Sequence, residues 1–213
     1  MHLPAGIAMM STTTLYVTEN NFHMVRKVLT DGSITTIAGQ ARAWQFDSAN
    51  GVGSAARFVF PHAITAVANQ ADTLWITDSS DHIVREITRV APAPGAAPLG
   101  SVVTIAGQPG VHGNNWESPP ALGLPPLFYG PFRVSANGLV ADTNNNVIAR
   151  MNALHAASLF DGVPPPASPA LVDGDATTAR FGAPSGLSDG PDFTYVADLS
   201  IMPSDRSHAR MGL

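Results

Sequence analysis

Four acids recur at the ends of short apolar runs: Leu15-Tyr16-Val17-Thr18-Glu19, Leu74-Trp75-Ile76-Thr77-Asp78, Leu139-Val140-Ala141-Asp142 and Tyr195-Val196-Ala197-Asp198. Gathered at one point, such carboxylates would hold a metal ion or act as acid and base on a substrate. Repetition argues for a plainer role. Catalysis needs one site, whereas turns need a hydrogen-bonded cap in every repeat. We therefore expect Glu19, Asp78, Asp142 and Asp198 to bond backbone N–H groups in the turn to the strand that follows each. His23 and His82 come four residues after their acids, and Asn146 takes that place in the third copy. An exchange of His for Asn suits a turn-bridging hydrogen bond better than coordination, so no metal site is expected there. His62, His112, His155 and His208 show no H-x-x-x-H or H-E-x-x-H spacing.

Arg57 and Arg180 share the phrase Ala-Arg-Phe. At a loop rim they could bind an anion. The reading we prefer has each bond the repeat's acids or carbonyls and pack its stem over Phe58 or Phe181. Gly51, Gly53 and Gly174 precede them, but no Lys-Ser/Thr follows, so no phosphate cradle is built. No G-x-S-x-G elbow occurs, and the absence of cysteine removes thiol chemistry, disulfides and thiolate metal sites. Three aromatics, Trp44, Phe46 and Trp116, sit between repeats, where they either anchor a partner or tuck back over the fold. Trp75 aligns with Tyr16, Val140 and Tyr195 and reads as core.

These residues are carried by a repeat. A marker proline opens a short apolar run at Pro4, Pro61, Pro131 and Pro184, in steps of 57, 70 and 53 residues, and the acids follow in steps of 59, 64 and 56. A β-branched run ending in glycine closes two copies, at Ser33–Gly39 and Ser101–Gly107. In the second copy four strand-like runs stand out: Ala63–Ala68, Thr73–Thr77, Ile83–Thr88 and Ser101–Ala106. No window carries a helical stripe, and Val147 to Ala157 fits a strand followed by a loop. Four short strands per repeat predict an all-β propeller of four-stranded antiparallel blades. The blades fall at about 3–58, 59–128, 129–181 and 182–213 of a single 1–213 unit, three full and the fourth partial. Ala91–Pro98, Gln108–Tyr129 and Gly162–Pro169 are excursions rich in Gly, Pro or Ala.

The repeat resembles the NHL family. The resemblance rests on Ala56-Arg57-Phe58, Pro61-x-Ala-Ile, Leu74–Asp78 with Asp81-His82-Ile83-Val84-Arg85, and Val103-Thr104-Ile105-Ala106-Gly107. Asp173–Leu187 repeats its opening and Val140–Ile148 its centre, so nearly the whole chain is covered. Ala149 departs from the pattern where the second copy has Arg85, and Leu-Ser-Ile-Met-Pro-Ser after Asp198 lacks the expected Asn or His. The resemblance implies a propeller, usually of about six blades around a channel, and no single function.

Charge narrows the partners. The net charge is −5, and the one Lys and ten Arg are scattered, which disfavours nucleic acid. No apolar run reaches the roughly 18 residues of a membrane-spanning helix, no basic leader opens the chain, and no cofactor is indicated. A non-catalytic scaffold that binds a protein or peptide on the loop face is the expected function. The alternatives are a propeller hydrolase or lyase with a metal in the central channel and, more weakly, single-stranded RNA binding. An open arc is expected, with apolar terminal faces near Ile7, Tyr16, Tyr195 and Val196 available for self-association.

Overall fold

A computed structural model describes residues 3–41, 47–90, 99–116, 125–152, 155–163, 171–190 and 193–199. Short strands and 3-10 turns make up the regular structure of these residues. The first blade is β1 (Pro4–Ser11), β2 (Thr14–Glu19), β3 (Met24–Leu29) and β4 (Ile34–Gly39). The second adds a short β5 (Gly51–Val52) outside β6 (Pro61–Ala66), β7 (Thr73–Asp78), β8 (Ile83–Val90) and β9 (Leu99–Ala106). The third holds β10 (Pro131–Val134), β11 (Leu139–Asp142), β12 (Val147–Met151) and β13 (Ala157–Asp161), and the fourth β14 (Pro184–Asp189) and β15 (Thr194–Asp198). All pairings are antiparallel, in the orders β1-β2-β3-β4, β5-β9-β8-β7-β6, β10-β11-β12-β13 and β14-β15. The expected blades of a propeller are therefore present, the fourth with two strands among the described residues.

The two sequence markers turn out to be neighbours. Pro4 pairs across the sheet with Glu19, Pro61 with Asp78, Pro131 with Asp142 and Pro184 with Asp198. A register shift follows the proline in all four blades. The first strand of each blade lies beside that of the next: β1 on β6, β6 on β10, β10 on β14. Gly6 permits the closest of these approaches, because a Cβ there would lie 2.6 Å from the His62 carbonyl oxygen. These four strands form the inner wall of the arc.

Side-chain alternation distributes each strand between two neighbours. Tyr16 enters the core shared by the first and second blades, together with Leu74 and Ile76. Trp75 enters the core shared by the second and third, with Val140, and Leu139 that of the third and fourth. The structural counterpart of Trp75 is thus Leu139, three residues before its acid, and not the adjacent Val140. The same alternation corrects the list of open-face residues. Ile7, opposite Val17, is 59% exposed, while Ile64, in the matching position opposite Ile76, is 2% exposed. Tyr195 is 40% exposed, but Tyr16 is 6% exposed and Val196 packs on the third blade's core. Neighbours one residue apart face opposite blades, so only one of each pair meets an uncovered side.

Candidate functional site

The ends of the second strands, the turns after them and the segments leading into the marker prolines share one face. The three aspartates there bond backbone, but not in the turn that the sequence suggested. Asp78 accepts the N–H groups of Val59 and Phe60, Asp142 that of Tyr129 at 2.7 Å, and Asp198 those of Gly182 and Ala183, both at 2.7 Å. These donors lie one or two residues before the marker proline. The pairing explains the choice. Proline has no N–H, the chain approaching it has no ladder partner, and the acid stands directly opposite. Glu19 is buried like Asp78 and Asp142, while Asp198 is half-buried; Glu19 Oε1 is bonded to nothing among the described residues.

Two acids are held by different donors. Arg85, fully buried, lies 3.9 Å from Asp78 and also donates to the carbonyls of Arg57 and Ala49. Its guanidinium sits 5.4 Å from the Phe58 ring centre. Arg85 thus fills the role expected of Arg57, whose own Nη2 reaches Asp47 at the surface instead. Arg180 is half-buried, its backbone bridged to Val172. In the third blade, where Ala149 replaces Arg85, Asp142 accepts the Trp116 indole N–H at 2.9 Å and the Asn145 amide N–H at 2.8 Å. Trp116 is 5% exposed, so this candidate anchor is turned inward, satisfying a buried acid. Trp44 and Phe46 lie outside the described residues. Burial pushes the Asp78 carboxyl up to about 6, against the pull of Phe60, Val59 and Arg85. It pushes Asp142 up to about 7, against Asn145, Tyr129 and Trp116.

The fourth residue after each acid latches its blade to the next. His23, His82 and Asn146 all take left-handed conformations, with φ of 55°, 61° and 58°. His23 Nδ1 donates to the Val59 carbonyl at 2.7 Å. His82 Nδ1 accepts the Gly130 N–H at 3.1 Å. The Asn146 amide, in the orientation its neighbours favour, donates to the Gly182 carbonyl at 2.6 Å. Hydroxyls add to the seam, from Thr18 to the His62 carbonyl, Thr77 to Phe132 and Thr143 to Pro184.

Two side-chain groups on this face do not follow the repeat. The first is a ledge. His112 and Tyr129, both exposed, stack at 4.6 Å, and His82 meets them edge-on at 5.4 and 5.5 Å. The second is on the inner wall. His62 follows its marker proline, as Ala5, Phe132 and Ser185 follow theirs. Its ring lies 3.6 Å from that of Phe132 and 6.3 Å from that of Phe60. Its Nδ1 is 3.1 Å from the Phe132 carbonyl. A carbonyl only accepts, so Nδ1 carries the proton and Nε2 is the acceptor of the neutral ring. Burial lowers the His62 pKa; the Phe132 carbonyl raises it and nearby Arg133 lowers it. Search by histidine spacing overlooked His62. The signal was its place directly after the marker proline. Among the described residues, no three His, Asp or Glu side chains converge as a metal set, and no helix is long and apolar enough to cross a membrane.

No family model matches the chain, and no curated protein does. Its fold is similar to that of an auxiliary nutrient binding protein from Bacteroides thetaiotaomicron (TM-score 0.62, 15% identity, 91% of this chain and 44% of that one). It is also similar to one from Bacteroides ovatus (TM-score 0.61, 13% identity, 92% and 46%). The chain spans less than half the length of these structures. The architecture is that of a β-propeller segment.

Proposed function

We propose that the chain is a non-catalytic scaffold whose loop face binds a protein or peptide. The observation that carries this reading is the ledge of Tyr129 and His112. Both rings are exposed and stacked, and the backbone beside them is fixed by bonds to Asp142 and His82. A rigid aromatic surface is the kind of anchor a peptide side chain packs on. A propeller lyase or hydrolase would need His, Asp or Asn side chains from several blades aimed at one point. Here those of the repeat that the structure pairs are engaged with backbone groups. Trp44 and Phe46, in the preceding inter-blade loop, are the other two candidate contacts. Peptides selected from a random library against the purified chain test the reading. Tyr129→Ala should weaken the selected binders at least tenfold. Binders indifferent to both Tyr129→Ala and Trp44→Ala would overturn it. Self-association through the Ile7 and Tyr195 faces belongs to the same proposal. Light scattering tests it, with a monomer at all concentrations as the contrary result.

A further inference from the structure

In each of the first three blades, the residue three places before the acid stands opposite one of the third strand. Tyr16 faces Lys27, Trp75 faces Glu86 and Leu139 faces Arg150. Such cross-strand neighbours share one side of the sheet. Two of these positions are satisfied from within. The Trp75 indole N–H donates to Glu86 at 3.1 Å, and His155 of the third blade stands 3.9 Å from the same carboxylate. The Arg150 guanidinium lies 3.9 Å over the Phe160 ring. The first blade sets a hydroxyl beside an ammonium, and neither is engaged. Tyr16 is 6% exposed, yet its hydroxyl has no hydrogen-bond partner among the described residues. Lys27 is half-buried and forms no ion pair with a described residue.

Both side chains line a cleft where the first blade meets the second. Ile37 continues the first blade's wall, and Leu74, Ile87 and Leu99 supply the second's. About 280 Å³ lies among these side chains, part of it open to solvent, and the enclosed part is scarcely larger than a water molecule. The one carboxylate on the lining, Asp72, is taken by Arg89 at 3.2 Å, and both are exposed. Those two charges cancel, so Lys27 sets the net charge of the cleft. Asp72 precedes Thr73, the first residue of β7, at the far end of that strand from Asp78. The cleft therefore lies away from the acids and their loop face. Burial and the nearby Asp72 raise the Tyr16 pKa against the pull of Arg89, so the phenol stays protonated and donates.

Two donors, one of them charged, over an apolar floor suit an acceptor with a single negative charge and a short apolar tail. We propose that this cleft binds a short-chain monocarboxylate. Lys27 and the Tyr16 hydroxyl hold the carboxylate, and the tail packs among Ile37, Leu74 and Ile87. The site is independent of the loop-face reading.

Calorimetry with butyrate, butyramide, acetate and hexanoate tests the cleft. Butyrate should bind, and butyramide, which lacks the charge, about tenfold more weakly. Acetate, without the tail, should also bind more weakly than butyrate. Hexanoate should bind no more tightly than butyrate, because the enclosed space is short. Lys27→Met keeps the stem and should weaken butyrate about tenfold. Tyr16→Phe should weaken it less and leave the urea midpoint in place, because the hydroxyl has no partner to lose. Lys27→Glu gives the first blade the donor and acceptor that Trp75 and Glu86 give the second, and should abolish butyrate binding and raise the midpoint. Equal binding of butyrate and butyramide, no binding of butyrate, or butyrate binding indifferent to both Lys27→Met and Tyr16→Phe overturns the proposal. Acetate bound as tightly as butyrate marks a surface ion pair at Lys27 and overturns it too.

Discussion

The seam between blades and the inner wall of the second and third blades share one face and obey different rules. Along the seam, equivalent positions hold equivalent groups: an acid on the lead-in backbone, then a left-handed His or Asn reaching the next blade. Where one member changes, another donor replaces it, as Trp116 and Asn145 do for the arginine absent at Ala149. On the inner wall, positions that are Ala5 and Gly6 in the first blade become Phe132 and Arg133 in the third, and the His62 ring lies 3.6 Å from that of Phe132. No compensating partner accompanies Arg133 among the described residues. A repeat constrains what every blade needs, and a departure without compensation marks what one place does.

Substitutions can break this contrast, beginning with its strongest case. Asp78→Ala should destabilise by about 3–5 kcal/mol, because it leaves the buried Arg85 uncompensated and two N–H groups without an acceptor. The shift of the urea midpoint measures it, and a loss below about 1 kcal/mol would mean the seam is not structural. Trp116→Phe keeps the buried ring and removes one donor to Asp142, with an expected loss of about 1–3 kcal/mol. Were Trp116 a surface anchor, the same change would leave stability unaltered. Tyr129→Ala, on the exposed ledge, should change stability by no more than about 0.5 kcal/mol while abolishing the binding proposed for that ledge.

A pH series sharpens the same comparison. Asp78 and Asp142 have folded pKa values raised to about 6 and about 7. The stability they contribute is fully present below their unfolded value of 3.8 and is lost as pH rises through about 6 and about 7. Asp142→Asn should flatten the upper part of that fall in a midpoint-against-pH curve. His82 runs the other way. Its folded pKa is lowered by burial and by His112, so its contribution is present above 6.5 and lost as pH falls below it. Protonation also removes the lone pair that accepts the Gly130 N–H, whereas His23 donates and keeps its bond when charged. Acid should therefore loosen the second blade from the third before the first from the second, seen as earlier hydrogen exchange at Gly130 than at the residues around Val59.

The blade plan was legible in the sequence because each blade answers the same local demands. Proline lacks a donor, an acid at fixed spacing supplies an acceptor, and β-branched runs favour strands. Those demands recur at Pro61 and Asp78 and again at Pro131 and Asp142, so the repeat advertises them. The run from Val147 was readable as a strand ending before a loop, and β12 ends at Met151. Which backbone each acid would meet was not readable. The turn residues Ser79–Asp81 follow Asp78 in the chain, but its donors, Val59 and Phe60, come from 19 and 18 residues upstream. Only the pairing of β6 with β7 brings them together.

The site shows the same division. His23, His82 and Asn146 betrayed a shared hydrogen-bonding role by exchanging at one register. His62 and Arg133 belong to different blades and form no motif along the chain. Trp116 had two readings, anchor or inward ring, that no local feature separated. Its burial follows from a need for donors at Asp142 that arises once Ala149 stands where an arginine would. By itself the sequence determined strand, turn and repeat, since these depend on residues within a few positions of each other. The tertiary structure alone decided which side chains are enclosed, which donor meets which carboxylate, and that the His62 ring lies against that of Phe132, because those contacts span blades and depend on how inner strands stack.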